Sequence, residues 1–245
     1  LVYSIMLTFK NNLLNALLIT LCLLATQRTV NASEGTKSEK ELLAEVNKSV
    51  VFLEKFRFAQ QFDAVYTKSD SIANYFKEVG FTYGWANIKL YKADILSGDG
   101  EYNEAASILS ELENRESVLK LPLERRSFIY ARIYLTKYNI SSEGYKENNG
   151  LDYLLKALEF ANNANNDGLA VSIQIPLGYH YKNIKEYAKS KDIFSNILEF
   201  SSVPQYRMIA KSGLSTVYLK TAEYEKVVDV CIVIPPSDEN SANKR

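Results

Sequence analysis

Apolar residues recur along most of the chain at the three- and four-residue spacing of a helix face, in paired segments rather than in one long run. The clearest pair lies in LGYHYKNIKEYAKSKDIFSNIL, from Leu177 to Leu198. Counted from small Gly178, Tyr181 stands at +3, Tyr187 at +9, small Ser190 at +12, Phe194 at +16 and Ile197 at +19. The same offsets return from Ala93 as Leu96, Tyr102, Ala105, Leu109 and Leu112, with Gly100 at the +7 turn. They return again from Ser215 as Tyr218, Tyr224, Val227, Cys231 and Ile234. From Ala131, Tyr134 fits at once, but Gly150, Leu154 and Ala157 fit at +19, +23 and +26, seven residues late, so an insertion is expected near ISSEGYKENN. Leu53, Phe56, Phe62, Val65 and Ile72 form a looser first unit, whose second helix the Ser69–Asp70 pair is expected to interrupt.

The physical content of these offsets is a helical hairpin. Small residues at 0 and +12 let two helices approach closely, and the aromatic positions fill the space around that contact. A single hairpin leaves one apolar face uncovered, so about three or more must stack before the array is stable. An all-α array is therefore predicted.

The run LG-x-x-Y, a turn, x-Y-x-x-small and an aromatic four residues later resembles the tetratricopeptide repeat, most specifically from Leu177 to Ile197. That resemblance implies a right-handed superhelical stack of α–α hairpins, an α-solenoid of about five units over residues 40–234, followed by a polar tail at 235–245. The unit origins are spaced by 40, 38, 47 and 37 residues, all above the family's usual ~34. Long, uneven units such as EVGFTYGWANIKLYKADILSGDGEYNEA are similar to those in sensory regions of bacterial signalling proteins. The resemblance also implies a concave groove lined by the first helix of each unit, at −6, −3, +1 and +4 from each origin. Those positions are Asn87, Leu90, Asp94 and Ser97; Arg125, Phe128, Arg132 and Leu135; Ser172, Ile175, Tyr179 and Lys182; Ile209, Ser212, Thr216 and Leu219. They lack the Lys and Asn set with which some family members clamp a peptide carboxylate, so an extended or helical peptide anchored by Arg125, Phe128, Arg132, Tyr179 and Lys182 is the expected partner.

Composition sharpens this picture mainly by exclusion. Twenty-nine basic residues balance twenty-nine acidic ones, so no net field draws the chain to nucleic acid or to an anionic membrane. Only 10 Gly and 5 Pro accompany 17 Tyr, which suits helices joined by few special turns. Apolar residues from Leu13 to Ala25, Lys10 before them and Val30-Asn31-Ala32 after them have the three parts of a signal peptide, 1–32, with a linker at 33–39. Cleavage after Ala32 is expected, the alternative being an uncleaved anchor, and the compartment implied is periplasmic or envelope-associated. Membrane association is expected only through that leader, or if the chain is a fragment of a membrane protein. An apolar last unit without a capping helix leaves a homodimer contact open.

Catalytic chemistry is thinly represented. One histidine, His180, sits where the family has a variable surface residue. The two cysteines are Cys22, in the leader, and Cys231, which reads as a small buried helix residue. No GxSxG, HExxH, P-loop or GxGxxG motif occurs. Tyr130, Tyr134 and Tyr138 share a helix face, and because Tyr134 occupies a template position they read as packing rather than as a ligand platform. The expectation is a non-catalytic module without cofactor or metal that binds a protein or peptide, in a sensory or scaffold role; the alternative is an envelope assembly factor.

Overall fold

The computed structural model describes residues 37–142 and 149–231. The leader, part of the linker, residues 143–148 of the expected insertion, Ile234 and the polar tail lie outside them. Among the described residues the protein is all-helical: α1 Glu39–Phe58, α2 Phe62–Glu78, α3 Thr82–Gly98, α4 Tyr102–Asn114, α5 Glu116–Leu119, α6 Leu123–Ile140, α7 Gly150–Asn163, α8 Asp167–Asn183, α9 Tyr187–Phe200, α10 Pro204–Lys220 and α11 Tyr224–Cys231. No described helix is long and apolar enough to cross a membrane.

The chain divides into one unit through Leu42 and another from Leu43. In the first, Ser38 caps the start of α1 in a reciprocal box. Its backbone N–H donates to the Glu41 carboxylate at 2.7 Å, and its hydroxyl lies 3.4 Å from the Glu41 N–H. Those hydrogen bonds hold the Glu41 carboxyl below its usual pKa. The remainder of the fold concerns the second unit.

Within it, helices pack against their neighbours in sequence order, α2 on α3, α3 on α4, α6 on α7 and onward to α11. The joints explain this order. At eight of them three residues separate the helices, and at six of these eight the turn holds one residue in the left-handed region: Gln60, Gly80, Gly100, Asn165, Lys185 and Ala222. Each such residue is followed by an N–H that reaches back five residues, as from Glu101 to the Leu96 carbonyl at 2.8 Å and from Glu186 to the Tyr181 carbonyl at 2.9 Å. This is the Schellman arrangement, which satisfies the last carbonyls of one helix while reversing the chain. Glycine takes a positive φ without a Cβ penalty, but it fills only two of the six positions.

The template offsets describe the interior well. Ala93 and Ala105, the two small positions of one unit, are both fully buried, as are Leu109 and Leu112. In the best unit the Ser190 hydroxyl donates to the Gly178 carbonyl at 2.8 Å, so the two small residues touch. Phe194 is fully buried between α8 and α10. A Cβ built on Gly178 would come within 2.8 Å of its ring, and one on Gly213 within 2.6 Å. Neither glycine is there for a turn; both make room for an aromatic ring. A neighbouring core gathers Ala131, Leu154, Ala157, Ala161, Ala170, Ile173 and Leu177.

Four expectations need correction. First, Ser69 and Asp70 do not interrupt the second helix of the first unit, because α2 runs through them: Ser69 is buried and Asp70 pairs with Lys92 at 3.0 Å. Second, Cys231 is exposed, not buried: it is the last described residue of α11, and its Sγ lies 3.3 Å from the Ser215 Oγ of α10. Third, His180 is half-buried, edge-on to Tyr138 at 6.4 Å and to Tyr181 at 6.5 Å. Fourth, the short helix α5 has no counterpart in the template. It lies between α4 and α6, and the three residues that join it to α6, Lys120 to Pro122, include none in the left-handed region.

Candidate functional site

The first helices of successive hairpins are α3, α6, α8 and α10, and the proposed binding positions fall on them. On α3, Leu90 is fully buried and Asn87 nearly so, with the Asn87 amide donating to the Tyr83 carbonyl at 2.9 Å. Neither offers surface to a partner, which corrects their assignment as groove contacts: both positions pack into the junction with neighbouring helices. Ser97 is buried as well.

Asp94 and the residues of α6 come together. The Asp94 carboxylate accepts hydrogen bonds from the Arg132 guanidinium and the Thr136 hydroxyl. Their side chains are 35% and 19% exposed for Asp94 and Arg132, so Arg132 serves first as a brace between α3 and α6 and keeps little free charge for a ligand. One and two turns earlier on α6, Phe128 meets the Tyr83 ring at 6.2 Å, and the Arg125 guanidinium lies 5.3 Å from the same ring centroid. Burial raises the Tyr83 phenol pKa, while Asn87, Arg125 and Arg132 pull it the other way. Tyr83, Arg125 and Phe128 thus form a half-buried aromatic and cationic cluster.

A second group lies on α8 and α10. Ile175 and Tyr179 pack against the core of Phe194, Ile197, Ala210 and Leu214, with Tyr179 edge-on to Phe194 at 5.0 Å. The Lys182 ammonium stands 5.0 Å from the Tyr179 ring centroid. Ser172 and Thr216 turn their hydroxyls back on their own helices, to the Leu169 carbonyl at 2.7 Å and the Ser212 carbonyl at 2.8 Å. Leu135 packs on the α6–α8 core, Ile209 is half-buried, and Ser212 and Leu219 are exposed.

Tyr83 and Thr136 were not among the expected residues. Tyr83 lies one turn before Asn87 on the same stripe, so extending the groove offsets by one position would have reached it. Thr136 carries no pattern of its own, and only its proximity to Asp94 reveals it.

The tyrosine ladder is packing. Tyr130 and Tyr134 meet Phe160 of α7 at 5.2 and 5.7 Å, the latter pair nearly parallel, while Tyr138 meets His180.

Away from these stripes, a cleft of about 430 Å³ lies between α2, α3 and α4, lined by Asp70, Asn74, Lys89, Lys92, Glu104 and Glu111 among others. Lys92 pairs with Asp70 and Glu104, each at 3.0 Å. Burial alone would lower its pKa, but the two carboxylates outweigh burial and hold it above the ordinary value. The cleft is an ionic tie across three helices, its cations already answered. Among the described residues, no group of three His, Cys, Asp or Glu side chains is placed to hold a metal ion.

Fold and surface together define an all-helical protein of hairpins packed in sequence order. Compared with models of protein families and with curated protein sequences, the chain matches none.

Proposed function

We propose that the protein is a non-catalytic interaction module of tetratricopeptide type, whose hairpins form a superhelical stack and bind a peptide or protein segment along the first helices. The observation that carries this reading is the Tyr83–Phe128–Arg125 cluster. It holds two rings and a guanidinium in partial exposure across two successive first helices, the composition in which binding energy concentrates at protein interfaces. Tyr179 with Lys182 repeats the same chemistry on α8. Such a surface recognises a segment that presents an apolar or aromatic side chain beside a carboxylate. A sensory or scaffold role outside the cytoplasm accords with the leader-like sequence at 1–32, and an assembly role in the envelope would use the same surface.

The geometry changes how this should be tested. Tyr179→Ala would strip packing from Phe194 as well as any binding contact, so charge reversal at Arg125 and Lys182 is the cleaner probe. The double variant R125E/K182E is expected to keep the helical circular-dichroism signal and to lose recovery of the partner captured by the native chain. Undiminished recovery by a folded double variant refutes the assignment.

A further inference from the structure

A pocket of about 190 Å³ lies where the end of α2, the start of α3 and the α4–α5 corner meet, lined by Lys77, Gly80, Thr82, Trp85, Arg115 and Ser117. We infer that this pocket binds a tetrahedral oxyanion, phosphate or sulfate, free or carried as a phosphoryl or sulfuryl group on a larger molecule. The inference is independent of the peptide-binding reading, because none of the residues proposed there lines it.

Charge decides the class of ligand. The larger cleft between α2 and α4 sets two ammonium groups against Asp70, Glu104 and Glu111, and repels an anion. In the smaller pocket the only charged lining residues are Lys77 and Arg115, both cationic. Arg115 is held in place: its guanidinium lies 4.2 Å from the Trp85 ring centroid, and one of its nitrogens reaches Glu111 at 3.1 Å. A planar guanidinium fixed by a ring and by one carboxylate keeps other N–H groups in a set direction, which favours an oxyanion over a mobile point charge. Glu111 offsets part of that charge, so affinity is moderate. Thr82 and Ser117 add two hydroxyl donors from different helices. The two cations come from different elements, Lys77 from α2 and Arg115 from the α4–α5 corner, so they can meet different oxygens of one compact oxyanion, which suits a tetrahedral group better than a flat carboxylate.

The protein carries one tryptophan, and it forms a wall of this pocket, so its fluorescence reports occupancy directly. Sodium phosphate and sodium sulfate, titrated into the full chain at ionic strength held constant with chloride, should each give a saturable change in Trp85 emission, with calorimetry as a second readout. Lys77→Ala, at an exposed position on α2 away from the indole, should weaken binding about tenfold, the loss expected for one charge-assisted hydrogen bond. Glu111→Gln should tighten it. Arg115→Ala should abolish it, with circular dichroism confirming that the variant folds. A response that rises without saturating, or that saturates identically in native protein and Lys77→Ala, overturns the site. Acetate binding as tightly as phosphate overturns the tetrahedral assignment.

Discussion

Gly213→Ala puts the packing account to its most direct test. In isolation the change should help, since alanine is favoured over glycine inside a helix by about 1 kcal/mol. Position 213 lies inside α10, and nothing in its backbone demands glycine. Yet its added Cβ would stand 2.6 to 2.7 Å from three atoms of the Phe194 ring. That ring is fully buried and is met on its other side by Gly178, where a Cβ would clash at 2.8 Å. It has no free direction in which to withdraw. Overpacking of this kind costs typically about 1–3 kcal/mol. With three ring atoms within 2.7 Å the upper part of that range applies, about 2–3 kcal/mol, so after the helix-propensity gain of about 1 kcal/mol the net destabilisation is roughly 1–2 kcal/mol. For a chain of this size that corresponds to a fall in Tm of roughly 2–8 °C. Urea unfolding followed by far-ultraviolet circular dichroism measures it. Gly98→Ala is the control, because a Cβ added there, at the end of α3, would meet no atom within 4 Å, and it should be neutral or mildly stabilising. Replacing Phe194 with Leu in the Gly213→Ala background should recover part of the loss, giving a coupling term that a simple backbone effect lacks. A Gly213→Ala protein as stable as the native chain would refute the ring-between-glycines account outright.

Three further outcomes follow from other parts of the molecule. Lys185 holds a positive φ of 66° that glycine adopts freely; Lys185→Gly should raise the unfolding free energy by about 0.5 kcal/mol, the relief of left-handed strain less glycine's greater unfolded entropy, and an unchanged urea midpoint would show that the joint is not strained. Burial lowers the His180 pKa from its ordinary value of 6.5, so the unfolded chain binds the proton more readily: stability is full above about pH 6.5 and is lost as pH falls through the lower folded value. Unfolding midpoints between pH 7.5 and 5.5 should therefore fall less in His180→Leu than in the native chain, and equal slopes would count against the desolvated histidine. Asp94→Ala should destabilise by about 1 kcal/mol or less, given the pair's exposure, with the difference shrinking in 0.5 M salt; indifference to both would mean that Asp94, Arg132 and Thr136 do not brace α3 to α6.

How much of this was legible beforehand depends on whether a residue's role is encoded by type or by neighbourhood. The small positions Gly178 and Ser190, the buried Leu109 and Leu112, and the late second helix after Tyr134 were all visible, because helix periodicity and residue size are local properties. The third unit shows this best. With its seven-residue insertion removed, the joint residue Asn165 lies 27 positions after the origin Ala131, as Gly80 lies 27 positions after the origin Leu53. The joints themselves were visible only where glycine marked them, at Gly100; Gln60, Lys185 and Ala222 take the same backbone region without announcing it. Ser69–Asp70 read as a break because both types disfavour helix interiors, and tertiary contacts overrode that preference by burying one and pairing the other. Leu90 was misplaced because fixed offsets assume a straight exposed stripe, whereas α3 is covered on nearly every side. Arg115 and Lys77 are far apart in sequence, and no spacing rule brings them to the same tryptophan.

Six joints built alike have a consequence for how this chain can change. A cut made at one joint within a hairpin and rejoined at the next such joint, as at Gln60 and Gly100, removes two helices and leaves the joined ends capped by the same backbone bonds. The hairpin is then the natural quantum of insertion or deletion, and the array can be lengthened or shortened by whole units while its ends remain satisfied. The price of that freedom is paid locally, at three non-glycine, non-asparagine joints that each hold a side chain where a hydrogen would sit more easily.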